Sequence, residues 1–168
     1  EGDNYHALTC LNYTHKGKVD VIYIDPPYNT GSDGFKYKDK RILKEYPDGT
    51  EVPVEHPLRH SYWLSFMKKR LELARELLKD TGVMFISIDD NEVAQLKLLC
   101  IEIFKKEDLV DVMVWRKSGV GRDGKMKNTT TFRKDHEYII SCFKKDKYLN
   151  KIIENPNFVG TLSNPDND

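Results

Sequence analysis

The feature that most constrains this chain is a short apolar run that stops at two prolines. Val19, Val21, Ile22, Tyr23 and Ile24, interrupted only by Asp20, lead directly into Asp25-Pro26-Pro27-Tyr28-Asn29. A continuous stretch of β-branched and aromatic side chains reads as a buried strand of a parallel sheet. Proline has no N–H to give to a ladder, so the strand ends at Asp25. Ligands of open parallel sheets collect outside the carboxyl ends of the strands, which makes the residues that stop the strand the first candidates for a site.

Glycines at 31, 34 and 49 and prolines at 47, 53 and 57 leave no sustained period over residues 29–60, which are expected to form a long functional loop. Trp63, Phe66, Met67, Leu71, Ala74, Leu77 and Leu78 then recur at helical spacing. A helix is expected over residues 62–80, capped by Ser61 and ended by Gly82. Residues 83–88 form a second apolar run, and Asp89-Asp90 behind it is placed to cap a helix carrying Val93, Leu96, Leu99 and Ile103. Residues 110–115 and 137–143 read as two further strands that can pair antiparallel. The order strand, helix, strand, helix, strand, strand predicts an α/β domain whose sheet is mainly parallel with an antiparallel pair at one edge.

With 168 residues and 39% hydrophobic content the chain can bury one compact core. Lys+Arg and Asp+Glu both number 27, so attraction to nucleic acid has to come from local clusters. Cys10, Cys100 and Cys142 are far apart and outside any C-x-x-C spacing, which argues against a zinc site or a disulfide framework and suits a reducing cytoplasm. No apolar run approaches the length of a membrane span. The chain starts at Glu1 without Met and ends in the polar run Ser163-Asn164-Pro165-Asp166-Asn167-Asp168, the pattern of a fragment.

Asp25 offers a carboxylate acceptor, the two rigid prolines offer carbonyls, and Tyr28 offers a flat aromatic face close by. That combination suits a planar base bearing an exocyclic amine. The alternative from the same residues is a tight turn after a core strand, with Tyr28 covering the sheet edge.

The run from Val19 through Asp25-Pro26-Pro27-Tyr28-Asn29-Thr30-Gly31 resembles the catalytic motif of amino-methyltransferases that act on DNA, in the form typical of N6-adenine enzymes. Ser61-Tyr62-Trp63-Leu64, Gly82-Val83-Met84-Phe85-Ile86-Ser87-Ile88-Asp89-Asp90 and Lys134-Asp135-His136-Glu137-Tyr138-Ile139 are similar to segments of the β-class enzymes, above all the modification subunits of type III restriction systems. The resemblance implies a partial Rossmann-like sheet of an S-adenosylmethionine-dependent methyltransferase. Residues 1–145 would be its catalytic-motif half, and residues 146–168 the start of a recognition region or a disordered tail. It further implies that Asp25 and the Pro26 carbonyl accept from the adenine N6 amine and that Tyr28 stacks on an adenine flipped out of double-stranded DNA. Asp25 would also border the cofactor. Gly2-Asp3-Asn4 resembles the segment whose Asp faces the cofactor adenine, although a plain helix cap explains Asp3 and Asn4 equally well. In the family such enzymes work with a restriction subunit and as homo-oligomers.

Between residues 116 and 134, Arg116, Lys117, Arg122, Lys125, Lys127, Arg133 and Lys134 face a single acid, Asp123. Such a patch is suited to duplex phosphates, and together with Asn29 it makes up the expected DNA-binding set; the alternative is a solvated loop. Asp89-Asp90 imitates the acidic end of an ATPase magnesium site, but no G-x-x-x-x-G-K-[ST] loop accompanies it. His136 is expected to be structural or close to DNA. The F-x-G-x-G cofactor loop of the β-class is also missing, because Phe158-Val159-Gly160-Thr161-Leu162 carries Leu where the second Gly belongs. Two readings follow, one half of a methyltransferase or a non-catalytic DNA-binding remnant of one.

Overall fold

The computed structural model describes residues 3–29, 45–51, 60–117 and 136–147. Helix α1 (Asn4–His15) is capped by Asp3, whose side chain accepts from the Tyr5 amide at 2.7 Å. None of its residues is buried; it lies on a second helix, α2 (Ser61–Leu77), where the Asn12 amide donates to the Leu73 carbonyl. The chain then turns at Gly17, whose φ of +66° is costly for any residue with a Cβ. That turn delivers the backbone to the end of α2, with Gly17 and Lys18 donating to the carbonyls of Glu76 and Leu77, and strand β1 (Val19–Ile24) follows.

Helix α2 buries Trp63, Met67, Leu71, Ala74 and Leu77, one side chain per turn along a single stripe. It stops short of the expected end at residue 80. Leu78 already has extended backbone and opens strand β2 (Leu78–Ile88), so Gly82 lies inside a strand instead of ending a helix. The reason is the pairing with β1, which advances from Val19↔Leu78 to Val21↔Val83 and leaves an irregularity at Gly82. A Cβ on Gly82 would stand 3.0 Å from the Leu78 side chain and from the carbonyl oxygens of Lys79 and Val19.

Helix α3 (Val93–Phe104) buries Leu96, Leu99, Cys100, Ile103 and Phe104. Its N-cap residue is Glu92, which makes no side-chain capping bond, so neither Asp89 nor Asp90 caps the helix as expected. Asp89 instead closes the preceding turn by accepting from the amide and the side chain of Asn91. A single 3-10 turn (Glu107–Leu109) leads into β3 (Val110–Arg116), and β4 (His136–Phe143) completes the sheet.

The sheet has four strands in the order β1-β2-β4-β3. β1 and β2 are parallel, β4 runs antiparallel to β2, and β3 runs antiparallel to β4. All strands but β4 therefore point the same way, and the expected antiparallel edge pair is present with β4 as its inner member. Helices α2 and α3 cover the face that carries Ile22, Ile24, Met84, Ile86, Ile88, Ile140 and Cys142. The other face leaves Val21, Tyr23, Met113 and Trp115 exposed. Strand β1, expected to be buried, is an edge strand among the described residues, and Val21 and Tyr23 are exposed on its second face. All three cysteines are free, with Cys100 and Cys142 buried.

Gly82→Ala forces a methyl group against two backbone oxygens and should destabilise the fold by about 1 to 3 kcal/mol. Urea denaturation measures this, and an unchanged midpoint would show that the backbone there has room to spare.

Candidate active site at the carboxyl ends of the strands

Asp25 is exposed just past β1, Pro26, Pro27 and Tyr28 are half-buried, and Asn29 is only 5% exposed. The segment thus sinks progressively into the protein, and its anchors differ from one position to the next. Trp63, fully buried near the start of α2, donates its indole N–H to the Pro27 carbonyl at 2.8 Å. The two proline carbonyls therefore differ: the one on Pro27 is committed to the fold. The Tyr28 ring packs against the core, with the Asp25 carboxylate near its hydroxyl. Burial first, and then the neighbouring Asp25 carboxylate, raises the Tyr28 hydroxyl well above the usual phenol range, so it stays neutral.

Asn29 has left-handed backbone, φ 58°, a conformation Asn tolerates better than most residues. The turn directs its amide inward, where Nδ2 donates to Glu92 Oε1 at 2.5 Å. His60 Nδ1 donates to the same oxygen at 2.7 Å. Asn29, expected among the DNA-binding residues, has its side chain buried and engaged within the protein. Across the sheet, Tyr138 donates to Asp90 at 3.0 Å and shares a hydrogen bond of 2.9 Å with His136 Nε2. A short hydrogen bond between the Tyr23 and Ser87 hydroxyls ties β1 to β2 on the open face.

Asp3 and Asn4 lie at the start of α1 and are both bound by Arg70 of α2, Asp3 through Nη2 at 2.6 and 2.9 Å and Asn4 through Nε at 2.7 Å. The Tyr5 amide, and behind it Arg70, hold the Asp3 carboxyl below the ordinary carboxylate range. Its side chain is still about half exposed. Arg116 and Lys117 are exposed at the end of β3, with Lys117 paired to Glu137. Arg122, Lys125 and Lys127 lie outside the described residues.

Sequence reasoning does not single out Trp63, His60 or Glu92 as supports of this site. Trp63 reads as one more member of an apolar stripe, and its polar edge becomes informative only once its helix is docked. Glu92 follows two aspartates and an asparagine, the composition of a solvated turn. Among the described residues, no cluster of three metal-ligating side chains exists, and no helix is long and apolar enough to cross a membrane.

The chain is 48% identical over 134 residues to the Mod subunit of the type III restriction-modification enzyme StyLTI of Salmonella typhimurium, a match covering 73% of this chain and 21% of that protein. It is 39% identical over 162 residues to the EcoP15I Mod subunit of Escherichia coli, covering 89% and 24%, and 34% identical to the type II methyltransferase M.KpnI of Klebsiella pneumoniae, covering 86% and 32%. The chain thus spans between about a fifth and a third of the length of these relatives. Among solved structures, a DNA modification methylase of Thermus thermophilus, TTHA0409, superposes with a TM-score of 0.54 at 16% identity, over 91% of this chain and 55% of that one. This likeness extends to the fold. Residues 19–164 match the profile of a family described as DNA methylase, and the chain belongs to that family.

Proposed function

We propose that this chain carries the base-handling half of an adenine-specific DNA methyltransferase, which transfers a methyl group from S-adenosylmethionine to the N6 amine of an adenine turned out of the duplex. The observation that carries the reading is the set of acceptors at the end of β1. The Pro27 carbonyl is taken by Trp63, whereas Asp25 stands exposed beside the Pro26 carbonyl. An exocyclic amine has two N–H groups, and this edge offers two acceptors for them. Family membership and the names of the relatives, Mod subunits and a type II methyltransferase, support the same reading.

In this mechanism Asp25 and Pro26 accept from the amine, so that the nitrogen lone pair points away from them. The Tyr28 ring stacks on the extruded base, with its neutral hydroxyl near Asp25. S-adenosylmethionine, when bound, supplies the electrophilic methyl group. The residues present fit it chemically: Asp25 offers an exposed carboxylate to its donors, and Asp3, bound by Arg70 and still half exposed, offers a second next to Asn4. Alignment of the amine is the main contribution of these side chains to the rate. Arg116, Lys117, Arg122, Lys125 and Lys127 would hold duplex phosphates. We further propose a restriction subunit as partner, homo-oligomerisation of the whole enzyme and a cytoplasmic location.

Three measurements test this in a chain that carries the whole methyltransferase domain. Asp25→Ala should abolish methyl incorporation while circular dichroism stays unchanged, since Asp25 is exposed. Loss of a charged hydrogen-bond partner costs about 1.5 to 3 kcal/mol before misalignment is added, and full activity in the folded variant would refute the role. At Tyr28 the expected order of activity is Tyr, then Phe, then Ala. Phe keeps a stacking face worth roughly 1 to 3 kcal/mol and loses only the hydroxyl near Asp25, so equal damage from Phe and Ala would rule out stacking. Neutralising Lys125 and Lys127 together should weaken binding to all duplexes alike and reduce the log–log salt slope by about 1.8, twice the contribution of one phosphate contact. An unchanged slope would leave that segment a solvated loop.

A further inference from the structure

We propose that Glu92 is a positioning residue for methyl transfer, which sets the Asp25–Tyr28 turn through Asn29; this rests on the function proposed above. The Glu92 side chain is 1% exposed, at the end of the turn between β2 and α3. It does not cap α3. A single oxygen, Oε1, receives both the Asn29 amide at 2.5 Å and His60 at 2.7 Å. One carboxylate thereby joins the residue that follows Tyr28, the residue that precedes α2, and the turn after β2.

Stability alone does not account for this arrangement. Glu92 Oε2 and Asn29 Oδ1 are buried and have no hydrogen-bond partner among the described residues. A buried carboxylate that leaves one oxygen unused is a poor stabiliser compared with a well-packed apolar side chain. Asn29 also holds a left-handed backbone conformation, a further cost. Costs of this kind persist where the surroundings hold a geometry the site needs, and the geometry held here is that of Asp25 and Tyr28. Two anchors flank the Tyr28 ring: Trp63 fixes the carbonyl of Pro27 before it, and Glu92 fixes the side chain of Asn29 after it. With both ends fixed, the Tyr28 ring keeps its place at the edge of the core, beside Asp25.

The test compares Glu92→Ala, Glu92→Gln, Asn29→Ala and the double alanine variant in a chain carrying the whole domain. Each is assayed for kcat, for KM toward duplex DNA, and for amide hydrogen exchange at Tyr28 and Asn29. Glu92→Ala and Asn29→Ala should each lower kcat on the order of 10- to 100-fold, the scale of a small misplacement of reacting groups, with little change in KM. Glu92→Gln keeps an oxygen for the Asn29 amide and should restore most of kcat. The double variant should be no slower than the worse single one, because both remove the same link. Exchange at Tyr28 and Asn29 should rise in both alanine variants whether or not the protein methylates DNA. A wild-type protein that incorporates no methyl would overturn the proposed function and leave the exchange result to decide the positioning role. Unaltered exchange, additive losses, or a fall in melting temperature with wild-type kcat in the folded fraction would each reduce Glu92 to a structural residue. Should Glu92→Ala fail to fold, Asn29→Ala and Glu92→Gln carry the same comparison without burying a lone charge or opening a large cavity.

Discussion

Strand β2 has neighbours on both sides, and its helix-facing side chains Met84, Ile86 and Ile88 are completely buried. Every group of the candidate site takes its position from that strand. Ladder hydrogen bonds hold adjacent strands about 4.8 Å apart. Pairing Ile24 with Ile86 and Ile88 with Tyr138 therefore brings the end of β1, the turn after β2 and the start of β4 to one edge of the sheet. A slip of one residue would reverse the faces of Ile22 and Ile24 and carry Asp25 away from this edge. The burial that fixes the register also fixes the chemistry.

At that edge the fold distributes hydrogen-bond donors selectively. An indole N–H satisfies the carbonyl of Pro27, and Asn29 is drawn inward to Glu92. The acceptors left facing solvent are those the proposed reaction uses. The prolines contribute by having no donors of their own, so the division of labour between neighbouring carbonyls is set by α2 instead of by the turn. Trp63 thus has two functions, filling the core with its ring and choosing between carbonyls with its nitrogen.

Most of the architecture is legible in the sequence because it rests on local apolar patterns: the run into Asp25, the stripe from Trp63 to Leu77, the two late strands and their antiparallel pairing. Helix α1 is not legible. It buries no residue, so its apolar positions carry no consistent period, and Asp3 is recognisable only as an ambiguous cap. The end of α2 is misplaced by sequence because Gly82 carries the same punctuation value in a helix stop and in a strand irregularity, and only the pairing with Val19 and Val21 separates the two. At the site, Asp25 to Tyr28 announce themselves by sequence. Glu92 and His60 do not, since a buried acid in a polar segment is defined by what folds over it, and their partner Asn29 looks like an exposed turn residue. Short-range pattern is readable from the chain alone; long-range partners such as Asn29 and Glu92, 63 positions apart, are not.

The β3–β4 ladder reaches its last rung at Arg116 and His136. That rung brings together the two ends of the stretch between them, which is rich in lysine and arginine. Closure entropy grows slowly with length, about 0.6 kcal/mol per doubling. Lengthening such a connection therefore adds little to the entropy of closing the β3–β4 pair. The sheet thus fixes the edge that carries Asp25 and brings the two ends of an adjoining basic stretch to that same sheet, so the two can be varied separately.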